Sequence, residues 1–273
     1  MATREASLGI VVGRKRIGKT FLTIQLLKQY VAGNPAKGIK PRRVIIFDVN
    51  NEYNDVKAMR LSDVDLFSRH PIIEMRRIQP FKTDGSAMTI DDIANALAYI
   101  VKVFKGGLLL LEDINQYVTD SMPQVIVGAI CTNAHKACDI IIHLQSLGRI
   151  LPKLWQNTAW VRYHKQYDTV EDNKDKLKER YQIFKLTELI VNKKYDAGDK
   201  RYYLHVDLSD NKIIGNYTKQ DLLEAVQRYM SENFQKVVGT FVNQRDMKGN
   251  KIYTIEQAMP IIRRKLYLDY YGN

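Results

Sequence analysis

The sequence predicts an α/β fold: a mostly parallel β-sheet with helices on both faces, followed by a small C-terminal α+β extension. Three observations carry this. Apolar, β-rich runs alternate with segments of helical spacing through the first two-thirds of the 273 residues, the order that builds a helix-covered parallel sheet. Those runs are apolar throughout rather than alternating, as strands buried on both faces are. The last third changes character, to an alternating strand, a turn, a return strand and an amphipathic helix.

In chain order, the first strand is Leu8–Val12. It runs into Gly13-Arg14-Lys15-Arg16-Ile17-Gly18-Lys19-Thr20, which fits G-x-x-x-x-G-K-[ST], and then into a helix over Lys19–Ala32. Strands follow at Arg43–Phe47, Gly107–Leu111 and 140–144, with a weaker candidate at 72–78. Further helices are expected at 90–105, where Asp91 and Asp92 suit the first turn and Gly106-Gly107 the end, and at 124–137. The charge run 171–180 reads as a solvated helix or loop. Beyond it, 202–207 alternates like a strand, Ser209-Asp210-Asn211 makes a turn, and 212–217 is the return strand. Thr218 is the expected N-cap of a helix over 219–233 with a stripe at Leu222, Leu223, Val226 and Tyr229-Met230. The expected division is a core over 1–200 and an extension over 201–273.

Composition narrows the function classes. No apolar stretch approaches the ~18 residues that cross a bilayer, and the N-terminal residues lack the apolar core of a signal peptide. Cys131 and Cys138 lie in the expected helix 124–137 or just past its end, without metal ligands at useful spacing, and read as small core residues. A cytoplasmic protein fits best. The net charge of +12 is shared equally between residues 1–150 and 151–273. A folded surface of that sign attracts polyanions, nucleic acid first among them. The 16 tyrosines read as packing at a core edge or subunit contact in preference to a base-stacking module.

The glycine loop supplies the chemistry. Its backbone N–H groups converge on phosphates and the helix N-terminus adds partial positive charge. Lys19 would reach the β- and γ-phosphates and the Thr20 hydroxyl would hold Mg²⁺, so ATP with Mg²⁺ is the expected ligand pair. The strand Gly107–Leu111 runs into Glu112-Asp113, which puts two acids at the carboxyl edge of the sheet. One can hold the metal and the other orient the attacking water. Gln145, at the end of 140–144, either senses the γ-phosphate, orients the water, or bonds a neighbouring loop. His143 inside that strand reads as a satisfied core histidine. Asp48 and Glu52, after Arg43–Phe47, are expected at the same edge.

The ordered set GRKRIGKT, FDVNNEY, LLLLED and IIIHLQSLGRI resembles the HerA/FtsK superfamily of P-loop ATPases over about residues 7–165. The resemblance implies a RecA-like fold and a motor that pumps DNA as a hexameric ring, gripping phosphates without reading sequence. Asp48 with Glu52-Tyr53 matches the acid and Glu-aromatic pair of that superfamily, and Gln145 its strand-end glutamine. A compact chain of this kind is similar to viral genome-packaging ATPases, which implies capsid or membrane proteins of a virion as partners and the host cytoplasm or the virion as location. The segment 133–139 resembles the zonula-occludens-toxin-like assembly ATPases of filamentous phages, a weaker match because those usually carry a transmembrane segment. The superfamily's usual Asp-Glu order is reversed here to Glu112-Asp113. By register Glu112 takes the metal and Asp113 the base role; exchanged roles, or Glu52 as base, stay open. Ring motors receive an arginine finger from the neighbouring subunit, for which Arg149 and Arg162 are both candidates. The rival reading is a nucleotide-gated assembly or scaffold protein with slow, DNA-independent turnover, and a phage-extrusion ATPase stands third.

Overall fold

The computed structural model describes residues 6–113, 128, 130 and 137–273. The chain forms two compact units, Met1–Val161 and Arg162–Asn273.

In the first unit, β1 (Leu8–Val12), β2 (Arg43–Phe47), β3 (Met75–Ile78), β4 (Gly107–Leu111), β5 (Asp139–Leu144) and the start of β6 (Thr158–His164) lie in the order β3-β2-β4-β5-β1-β6. The pairs β2–β3, β2–β4, β4–β5 and β1–β5 are all parallel. Every residue of β1, β4 and β5 is buried, which is why their sequences are apolar without alternation. Helix α1 (Lys19–Ala32) sets Leu27 against Val11, Val44, Ile46, Leu108 and Ile141. Gly33, at φ 66°, ends α1 in a conformation side chains avoid. Gly9 lacks a Cβ because the Trp160 ring of β6 lies where one would stand.

Helix α2 (Val64–Arg69) stacks Phe67 on Phe104, just past α3 (Ile90–Val103). A Thr89–Asp92 capping box opens α3, with Asp91 and Asp92 in the first turn. It stops two residues short of 105 because Phe104 turns extended and is buried. The weak strand of 72–78 begins only at Met75, opposite Val44; Ile72 and Ile73 stay in solvent. The expected helix 124–137, with Cys131 and most of the segment 133–139, falls largely outside the described residues. Cys138 is buried, as a small core residue should be. The short helix α4 (Pro152–Asn157) leads into β6.

The second unit holds the end of β6, α5 (Tyr181–Asp196), the antiparallel hairpin of β7 (Tyr203–Asp207) and β8 (Lys212–Ile214), α6 (Lys219–Glu232) and α7 (Ile255–Tyr270). Helix α5 packs on β7 and α6, so this unit opens ahead of residue 200, where the composition changes. Sequence reading missed α5 because it is apolar on several sides: Ile183, Phe184, Leu186, Leu189, Ile190 and Val191 are buried without forming one stripe. It missed α7 because Pro260 lies inside it and normally breaks a helix. The β8 strand ends at Ile214, where Gly215 turns the chain at φ 148°. Thr218 is the N-cap of α6, as read from the sequence, and the structure adds a reciprocal pair with Asp221. The charge run 171–180 forms short exposed turns of helix. Tyrosines pack on one another here, Tyr181 on Tyr229 and Tyr217 and Tyr267 on Tyr271. No helix among the described residues is long and apolar enough to cross a membrane.

Candidate functional site

Parallel pairing puts the C-terminal ends of β2, β4, β5 and β1 side by side on one edge of the sheet, in that order. The loops that follow them are therefore 48–53, Glu112-Asp113, Gln145 and the glycine loop. At ~4.8 Å per strand, the acids after β4 stand ~10 Å from the glycine loop after β1, with Gln145 between them.

The glycine loop leaves β1 with the Gly13 N–H donating to the Leu144 carbonyl, 3.3 Å away. It turns through Arg16 at φ 61° and Gly18 at φ 98°. Ile17 is buried as the anchor, while Lys15 and Arg16 face solvent. Helix α1 starts at Lys19 with no side-chain cap and no acid in its first turn, so the positive end of its dipole faces the loop. Lys19 bends back and donates to the carbonyls of Gly13 (2.6 Å) and Arg14 (3.0 Å). Burial lowers its pKa, while Asp113, Glu112 and Glu52 pull the other way. Lys19 and the three acids therefore lie in one neighbourhood at this sheet edge. Thr20 follows in the first turn of α1, half-buried.

Glu112 is held tightly. Its Oε1 accepts from the Tyr53 hydroxyl and lies 2.9 Å from His143 Nδ1, a close but bent approach. The other ring nitrogen, Nε2, meets the Thr23 hydroxyl at 2.8 Å. Thr23, His143, Glu112 and Tyr53 thus form a buried polar chain from α1 through β5 to the loop after β2. His143 lies inside the core as expected; Thr23 satisfies its Nε2, while its Nδ1 faces the Glu112 carboxyl without an aligned hydrogen bond. Burial alone would raise the Glu112 pKa; His143, Tyr53 and Lys19 outweigh it and hold the carboxyl below its usual range. Asp113 adopts φ 41° and takes an Asn50 amide contact at 3.4 Å. Asp tolerates the left-handed region better than Glu does, which accounts for the shorter acid at 113.

Asp48 is a fastener. It accepts from the backbone N–H groups of Glu52 (2.8 Å) and Tyr53 (3.1 Å) and pairs with Arg77 at 3.0 Å, wholly buried. Arg77 also donates to Asn51 and Asn54. The loop so shaped leaves Glu52 exposed. Partial desolvation of its carboxyl and the like charges of Glu112, Asp113 and Asp48 raise its pKa. Sequence reading missed Arg77, Thr23 and Asn50. Their only signals were polar residues at inward positions: an arginine pair in a weak strand, and a threonine facing a histidine across two apolar elements.

Gln145 is half-buried, one residue beyond the carbonyl that receives Gly13. Arg149 is exposed at the end of a single helical turn, Leu147–Arg149. Arg162 is 3% exposed, its guanidinium over the Tyr203 ring, and burial lowers its pKa to about 10. Of the two arginines, only Arg149 is open to another molecule.

No protein-family model matches the chain, and no curated protein sequence matches it. Among solved structures it is similar to the genome packaging NTPase B204 from Sulfolobus turreted icosahedral virus 2 in complex with AMP, with 17% sequence identity and a TM-score of 0.50 over 78% of this chain and 97% of that one. The same figures hold for B204, the DNA-packaging ATPase from Sulfolobus Turreted Icosahedral Virus. The N-terminal domain of zonular occludens toxin from Neisseria meningitidis matches over 60% of this chain and 79% of that one, with 14% identity and a TM-score of 0.37. The B204 likeness shows a shared α/β fold.

Proposed function

We propose that this chain is an ATP-hydrolysing DNA translocase, a genome-packaging motor that works as a ring in the host cytoplasm with capsid or membrane proteins of a virion as partners. The observation that carries the reading is the clustering of Lys19 with Glu112, Asp113 and Glu52 at one sheet edge beside a glycine loop and an uncapped helix N-terminus. Neighbours described as packaging NTPases support the class, and the +12 charge suits a nucleic-acid partner.

The residues divide the work by environment. Backbone N–H groups of 13–20 and the Lys19 ammonium would hold the phosphates. Among the described residues no cluster of three or more His, Cys, Asp or Glu side chains could cage a metal alone. A site of one hydroxyl and one or two carboxylates suits Mg²⁺, which keeps waters and shares substrate phosphates. Thr20 and Glu112 would hold it, with Asp113 adjoining, and when bound it would draw charge from the phosphoryl oxygens. Glu112, clamped and kept ionised, suits that task. Asp113 or Glu52 would orient and deprotonate the attacking water, Gln145 would report loss of the γ-phosphate, and Arg149 of one subunit would reach the site of the next.

The test is ATP hydrolysis with and without DNA, at low and moderate salt. Lys19→Ala should abolish turnover. DNA should stimulate the wild type strongly, and the stimulation should fade as salt rises, because phosphate contacts release counterions. Unchanged turnover in Lys19→Ala refutes the site; slow turnover indifferent to DNA favours the assembly protein.

A further inference from the structure

The C-terminal unit carries an apolar groove with cations around it. Helices α6 and α7 leave between them a groove of about 630 Å³. Leu223, Met230, Met259, Pro260 and Leu268 make its floor and walls, and Lys219, Arg263 and Arg264 stand around them. Leu268 is 55% exposed, and Ile261, two turns before it, also faces solvent.

We propose that this groove docks an acidic amphipathic helix from a protein partner. Charge is the first argument. Among the described residues no acid lines the groove. Elsewhere in the same unit cations sit on carboxylates: Lys193 on Asp221 and Glu224, Lys194 on Asp221, Arg228 on Glu232. The three groove cations have no such partner among the described residues, and Arg263 Nε is buried without a hydrogen bond. Lys219 lies over the face of the Tyr267 ring, 5.5 Å from its centroid. Shape is the second argument. From Met259 to Leu268 the groove runs ~14 Å along α7 at 1.5 Å per residue, room for two to three turns of a docked helix. Its methionines adapt to varied apolar anchors, and helix-in-groove binding reads such anchors at i, i+3 or i+4, and i+7. A sugar–phosphate backbone would match the cations but leave the Leu and Met floor facing charge, so a helix with apolar anchors and flanking Glu or Asp fits better than DNA.

The experiment uses the full chain and a labelled helical peptide with leucines on one face and glutamates beside them, read by fluorescence anisotropy. Controls are the same peptide with lysine for glutamate and a short DNA duplex. The acidic peptide should bind and the basic one should not. Arg264→Glu and Leu268→Ser, both exposed, should each weaken binding about tenfold or more while DNA-free ATP turnover stays as in the wild type. Equal binding of both peptides, undiminished binding by either variant, or displacement of the peptide by the duplex overturns the proposal. Loss in Arg264→Glu with none in Leu268→Ser also overturns it, since that describes a merely basic patch. Failure of DNA-stimulated hydrolysis leaves this result unaffected, because the groove and the phosphate loop are read by separate signals.

Discussion

Two histidines show how environment decides what a residue does. His143 and Tyr53 converge on one oxygen of Glu112. Removing either leaves a buried carboxylate short of a partner, a loss of about 1–3 kcal/mol, and His143→Ala adds a cavity. Tyr53→Phe and His143→Ala should each lower the urea midpoint, and the double variant should lose less than the sum, because both act through Glu112. Strict additivity would show that they do not share it. His205 is the opposite case. Burial, with Arg162 nearby, lowers its pKa from 6.5 to about 4. As pH falls through 6.5 the unfolded chain takes up this proton while the folded chain resists until about 4, so stability is lost across that window, on the order of 3 kcal/mol at most. Urea midpoints from pH 7 to 4.5 should fall more steeply for the wild type than for His205→Phe, which keeps the ring packed beside Tyr203.

At the scale of elements, what matters is how strands meet. Gly9 on β1 is small because the Trp160 ring of β6 occupies its Cβ position. Gly9→Ala should cost about 1–3 kcal/mol by overpacking, and Trp160→Ala in the same chain should recover part of that loss; calorimetric melting of the three variants checks it. Elements whose pattern matched one period were legible in advance. Strands β1, β2 and β4 and helix α1 fall at the boundaries the sequence predicts, since continuous apolar runs between turn residues leave few alternatives. Helix α5 was illegible because burial on several sides erases the stripe, and α7 because Pro260 signals a break that its neighbours override.

At the scale of the whole molecule, the proposed motor needs a neighbour. Exposed Arg149 is the arginine able to reach one, whereas Arg162 is buried under Tyr203. Arg149→Ala and Lys19→Ala should each be inactive alone. Mixing them should restore part of the ATP turnover, because an intact phosphate loop then meets an intact arginine from next door; no recovery would mean that Arg149 does not act between subunits. The sequence by itself determined the glycine loop between β1 and α1, the acid pair at the end of a buried strand and the α/β class, because those depend on residue type at short spacing. Only the tertiary structure decided which polar groups meet. Asp48 holding its loop through Arg77, and His143 and Tyr53 clamping Glu112, join residues far apart in the chain. Strand order creates such contacts, and no local pattern encodes strand order.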